Sequence, residues 1–168
     1  ELGIEAEQHG TVIAASRVVV IATYILMHHI DFWHHRFSVA VVSQVGAVAG
    51  LITFASAESL FGLFLGLAGL AQLVGFNYFS SIYYSTTGAH DDRRGRATGI
   101  HEATLAFGFV MGSIMGGVIG HLLDLRSPYR LSAVVIGFLM MMQGVIYFRL
   151  VKPLRRQHRT SKSNLHGG

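Results

Sequence analysis

The chain has 168 residues, of which 51% are hydrophobic and only 13% charged, with a formal net charge of +4. A water-soluble domain of this size carries about a quarter charged residues, and the mean hydropathy here is +0.47. That excludes a disordered chain, a collagen-like chain and an ordinary soluble enzyme, and points to a polytopic membrane protein.

The absence of Cys removes disulfide frameworks, Cys-ligated zinc and iron–sulfur clusters. With 2 Pro and 20 Gly, the composition suits membrane helices that pack backbone to backbone. The chain opens on Glu1, followed by Glu5 and Glu7, so it lacks the basic start of a cleavable signal peptide. Beginning on Glu rather than Met, it reads as starting inside a longer protein.

Five apolar runs are long enough to span a bilayer, which takes about 20 residues. They cover roughly 11–30, 37–57, 59–85, 97–123 and 131–151. The run Val39–Phe54 has only Ser43, Gln44 and Thr53 as polar breaks, so it has no solvated face. The blocks Leu60–Leu73 and Ala133–Met142 do not alternate as barrel strands would. The expectation is an all-α transmembrane bundle over residues 1–151, one domain, with a basic and disordered tail over residues 152–168.

In the first run, Arg17, Tyr24 and His28 are spaced by seven and eleven residues and share a helical face. Two readings are open: a cavity-facing stripe that holds an anion, or an Arg17 that snorkels to headgroups. The connector Asp31–Arg36 is charged at both ends. The second run is nearly bare of polar groups, and the fifth carries Met140, Met141 and Met142. The third run holds Gln72 and a face of Asn77, Ser81 and Tyr84, read as cavity lining or interhelical hydrogen bonding. Its Gly62, Gly66 and Gly69 suit close helix approach.

A charged connector with Asp91, Asp92, Arg93, Arg94 and Arg96 precedes the fourth run. That run begins with Gly99, His101 and Glu102. A carboxylate partly desolvated in a bundle can exchange protons near neutral pH, and a neighbouring imidazole can tune or relay them. The alternative is a structural pair that bonds the adjacent helix. Farther on, Gly108, Gly112 and Gly116, with Gly117, form a smooth groove for packing or sliding.

Lys and Arg collect on the cytoplasmic side of membrane proteins. Arg36, Arg93, Arg94, Arg96 and the tail's five basic residues up to Lys162 fall on one side, against Arg126 and Arg130 on the other. The tail is therefore expected in the cytoplasm. The ten His offer no facing buried pair for haem, and most lie at the margins. No HExxH, P-loop or GxSxG motif occurs. The expectation is no cofactor, no metal and no enzyme. There is no aromatic-interleaved basic platform, so nucleic acid is not an expected partner; membrane lipids are.

These residues resemble the major facilitator superfamily of secondary transporters. The likeness rests on three places and extends to about Arg156. Gly99-x8-Gly108-x3-Gly112-Ser113-x2-Gly116-Gly117 has the spacing of the family's glycine-rich motif on its fifth and eleventh helices, with Ser113 where Pro is usual. Asp91–Arg96 resembles the charged loop before that helix. Asp31–Arg36 stands in the place of the charged loop between helices two and three or eight and nine, keeping only its acidic and basic ends.

Tyr83-Tyr84-Ser85 followed by Gly99–Ala103 looks like the tenth-to-eleventh helix region of some bacterial members. The resemblance implies helices eight to twelve, from the C-terminal half. Helices two to six are the other register, because the halves are repeats; the ending at Gly168 and the His101-Glu102 context favour the former.

It further implies a fragment of a transporter that moves a small-molecule substrate by alternating access, with the missing N-terminal half of the same protein as partner. The first, third and fourth spans then line the cavity, and the second and fifth face lipid. Glu102 with His101 is the proton-coupling candidate, and Arg17 the anion contact. Asp31–Arg36 and Asp91–Arg96 latch the cytoplasmic face. The expected location is a bacterial inner membrane. The rival reading is a multi-pass membrane scaffold or assembly factor that transports nothing.

Overall fold

The computed structural model describes residues 6–87 and 94–153. These form five long helices in chain order: α1 (Ala6–His29), α2 (Phe37–Ser56), α3 (Leu60–Thr87), α4 (Arg94–Leu122) and α5 (Ser127–Ile146). A π-helical turn, Tyr147–Val151, continues α5. All five are long and apolar enough to cross a membrane. Helices satisfy every backbone group internally, which a hydrocarbon environment demands. The fold is the expected all-α bundle.

Helix starts depart from the apolar runs for a local reason. Hydropathy marks what sits in lipid, whereas capping and backbone bonding mark where a helix begins. α1 begins at Ala6 and takes in the polar Glu7, Gln8 and His9. α5 begins at Ser127 because Asp124 caps it. Its Oδ1 accepts from the Arg126 and Ser127 amides at 2.6 and 3.0 Å, and its Oδ2 from the Ser127 hydroxyl at 2.6 Å. Pro128 in the first turn is pre-set for a helix.

The core lies between α2 and α3. Their connector is only Ala57–Ser59, so they must be antiparallel neighbours. Ser59 caps α3 by accepting from the Gly62 amide at 3.2 Å. Along the seam the backbones touch. A Cβ on Gly50 would stand 2.7 Å from the Gly66 carbonyl oxygen, and one on Gly69 2.8 Å from the Gly46 carbonyl oxygen. α1 joins the other side of α3, where a Cβ on Gly75 would meet Thr23 at 3.0 Å.

α5 packs on α2. Gln44 donates to Gln143 Oε1 at 2.7 Å, Phe37 stacks on Tyr147 at 4.1 Å, and Phe54 meets Tyr129 at 4.5 Å. The second helix therefore uses its few polar groups as internal links: Gln72 of α3 donates to the buried Ser43 at 2.8 Å. α4 is the exception, touching α3 and α5 yet burying none of its residues.

The α1–α2 connector is pinned to α3. After a 3-10 turn over Asp31–Trp33, the indole of Trp33 is buried and donates to the Met27 carbonyl at 2.8 Å. Phe79, Tyr83 and Tyr84 surround it at 5.8, 5.1 and 5.9 Å. His35 is left-handed, with φ 57°. For a residue with a Cβ this costs about 1–2 kcal/mol. The Tyr84 hydroxyl offsets it by accepting from the His35 amide at 2.8 Å.

Candidate functional site

Polar groups from three helices converge where α1, α3 and α4 meet. Tyr78 and Ser81 are one turn apart on α3, and His101 and Glu102 are consecutive near the start of α4. The Tyr78 hydroxyl donates to Glu102 Oε1 at 3.1 Å. Ser81 Oγ lies 3.1 Å from His101 Nε2. Ser81 Oγ is also 3.0 Å from the Tyr78 carbonyl, which can only accept. The single hydroxyl hydrogen is spent there, so the network assigns His101 Nε2–H as donor to Ser81.

Tyr24 of α1 packs on the Tyr78 ring at 6.0 Å, and His101 of α4 reaches the same ring at 6.0 Å. Glu102 is exposed and His101 half-buried, so the cluster is open on the side that α4 presents. The arrangement can hold a carboxylate against a hydroxyl donor, with an imidazole one residue away.

The other singled-out residues fall elsewhere. Arg17 is exposed and has no hydrogen bond or ion pair with a described residue. It flanks the α1 stripe that packs inward, in which Ser16, Val20 and Met27 are buried. Tyr24 of its stripe reaches α3, whereas His28 is exposed and rests on His29 at 5.2 Å.

Asn77, Ser81 and Tyr84 do not act as one face. Asn77 and Tyr84 border a cavity of about 340 Å³ with Gln44, Gln143 and Arg36, while Ser81 turns to His101. Tyr84 also anchors the His35 amide, and Gln72 is held by Ser43. In the first charged connector, Asp31 pairs with His34 at 3.4 Å and Arg36 lies over the Phe32 ring at 4.0 Å. Arg94 and Arg96 are exposed on the first turn of α4. Asp91, Asp92 and Arg93 lie outside the described residues, as does the tail beyond Pro153.

The α4 glycines have open space. A Cβ added at Gly99, Gly108, Gly112, Gly116 or Gly117 would meet nothing within 4 Å. Gly112, Gly116 and Gly117 face a cavity of about 1010 Å³, bordered on its other wall by Tyr129 and Ser132 of α5. Among the described residues no group of three His, Cys, Asp or Glu comes together to hold a metal.

Tyr78 and Gly75 went unmarked in the sequence, as did the Gly46–Gly50 pair. The glycine pair carried a signal, since its spacing of four is that of Gly62 and Gly66. Tyr78 carried none, because an aromatic in an apolar run looks like core.

The model of one known family, the Major Facilitator Superfamily, matches residues 1–166. No curated protein and no solved structure matches the chain.

Proposed function

The chain belongs to the major facilitator superfamily, and from this we infer that it is part of a transporter of that kind. We propose that it supplies helices eight to twelve of a secondary transporter that moves a small solute by alternating access, with proton coupling at Glu102. The observation that carries this reading is the bond from Tyr78 to Glu102, with His101 and Ser81 alongside. It joins α3 to α4 through a group whose bond strength depends on a proton. α4 has no buried residue to hold it otherwise.

In this mechanism the ionised carboxylate draws α4 toward α3. Proton uptake weakens that link, and α4 moves with the opposing half of the transporter along its open glycine stripe. Arg17, exposed on α1 and unpaired among the described residues, supplies the contact for an anionic group of the solute. The placement in the C-terminal half rests on the likeness of Gly99–Ala103 and Tyr83–Ser85 to the eleventh and tenth helices. The excess of Lys and Arg puts the tail on the cytoplasmic side. The membrane is the bacterial inner membrane.

The test is made on the complete transporter in proteoliposomes, with Glu102→Gln. Uphill accumulation driven by a pH gradient collapses, while exchange of labelled for unlabelled solute persists. Tyr78→Phe shifts the pH profile of uptake and leaves exchange intact. Undiminished uphill accumulation by Glu102→Gln sinks proton coupling at this site. Absence of any solute flux in the unmodified protein sinks transport itself.

A further inference from the structure

Between α2 and α5 runs an apolar furrow of about 430 Å³. Its walls are Val48, Ile52 and Ala55 of α2 and Ala133 and Val134 of α5. Ile52 and Val134 are exposed, as expected for side chains that meet acyl chains. From Val48 to Ser56 the helix rises about 12 Å, so the furrow reaches well into the hydrocarbon. At the end where α2 stops and α5 begins, it closes on Arg130.

Arg130 is unusual for its surroundings. A guanidinium carries five N–H donors, yet this one makes no side-chain hydrogen bond to a described residue. Its nearest anion is Asp124, at 3.7 Å, and its side chain is 61% exposed. Asp124 is already committed to capping α5 through the Ser127 hydroxyl and the Arg126 and Ser127 amides. Those bonds hold its carboxyl below the usual carboxylate range, led by the one from Ser127. The neighbouring Arg126 is occupied, donating to the Ala57 carbonyl at 3.1 Å. One forked cation is therefore left at the mouth of an apolar slot at the membrane boundary.

We propose that this furrow is a binding site for an anionic phospholipid. One acyl chain lies between α2 and α5, and the headgroup phosphate accepts from the Arg130 guanidinium. Charge complementarity selects the occupant. A fork of parallel N–H groups matches phosphate oxygens in pairs, and a net negative headgroup gains further from the cation. A detached phosphate would leave the apolar walls unfilled.

The full natural polypeptide that carries this chain is purified in mild detergent. It is titrated with phosphatidylglycerol and with phosphatidylcholine of the same acyl chains, and bound lipid is counted by native mass spectrometry. One cation at a membrane surface gives about a fivefold preference for the anionic lipid, and Arg130→Gln removes it while leaving phosphatidylcholine binding unchanged. Arg130→Lys falls between. Millimolar inorganic phosphate does not displace the lipid.

Equal binding of the two lipids, an unchanged preference in Arg130→Gln, or displacement by inorganic phosphate overturns the proposal. A second measurement needs no variant. Phosphatidylglycerol with a photoreactive group in its upper acyl chain labels peptides containing Ile52 or Val134 in the unmodified protein, and unlabelled phosphatidylglycerol competes. Labelling confined to other helices overturns the site.

Discussion

Two sets of glycines, at helical spacings of three and four, end in opposite circumstances. Gly46, Gly50, Gly66 and Gly69 bring α2 and α3 into backbone contact, with no room for a methyl group at Gly50, Gly66 or Gly69. Gly108, Gly112 and Gly116 on α4 meet nothing within 4 Å. The residue type is the same and spacings of three and four both keep glycines on one helical face, so neither explains the difference. The packing does. α2 and α3, joined by the three residues Ala57–Ser59, meet glycine to glycine. α4 is joined to α5 by a connector almost as short, residues 123–126, yet its glycines border an open cavity, and the bonds of Glu102 and His101 tie its start to α3. A glycine repeat encodes the capacity for close approach, while the packing decides which helix uses it.

The largest effect that would break this comparison is at Gly66. A Cβ there would stand 2.6 Å from the Phe54 Cβ and 2.7 Å from its amide nitrogen. Gly66→Val is expected to cost about 3 kcal/mol or more, since backbone cannot move aside as a side chain would. Reversible unfolding in mixed micelles measures it. In the same assay Gly112→Val stays within about 0.5 kcal/mol; an equal cost at both sites would erase the distinction between a used seam and an open one. In the complete transporter the order reverses, and Gly112→Val abolishes solute flux if the opposing half rides on that stripe.

A smaller effect sharpens the comparison on its polar side. The bond from Gln72 to Ser43 accompanies the α2–α3 seam, as the bonds of Tyr78 and Ser81 accompany α4. A double-mutant cycle of Gln72→Leu with Ser43→Ala is expected to give a coupling of about 0.6 kcal/mol, the usual size for such bonds in lipid. A coupling of zero would mean that glycine contact alone holds the seam.

The smallest effect is at the α4–α5 connector. The carboxyl of Asp124 titrates below its ordinary value of 3.8 because the native state hydrogen-bonds its ionised form. Its contribution is present above the unfolded value and is lost as pH falls through 3.8 toward the native one. Asp124→Asn is thus slightly destabilising at pH 7, and the difference vanishes once pH falls below the lowered native value; a gap that persists there would assign the loss to geometry rather than charge.

Most of the fold was legible in the sequence because hydrocarbon imposes a length and a composition on every span. The ends were less so. The polar Glu7–His9 continue α1, and Asp124 starts α5 ahead of its apolar run, and neither leaves a mark in hydropathy. For the site, Glu102 and His101 stood out as polar groups in an apolar run, and so did Ser81. Their partner Tyr78 did not, since its hydroxyl matters only once α3 faces α4. Gln72 and Tyr84 stood out as well, yet the structure gives them interhelical and connector bonds. A polar residue in a span announces that it needs a partner; which partner depends on helix rotation, and periodicity within one helix does not carry that.

The Trp33 contact gives the protein a built-in optical probe. It is the chain's one tryptophan, only 6% exposed, with Tyr83 and Tyr84 within energy-transfer range and its N–H engaged. Emission excited through those tyrosines therefore reads a single place, the seat of the α1–α2 connector on the end of α3. Lifting the connector wets the indole, shifts its emission to the red and dims the transfer. Movement at this end of the bundle can be followed in real time without attaching a label.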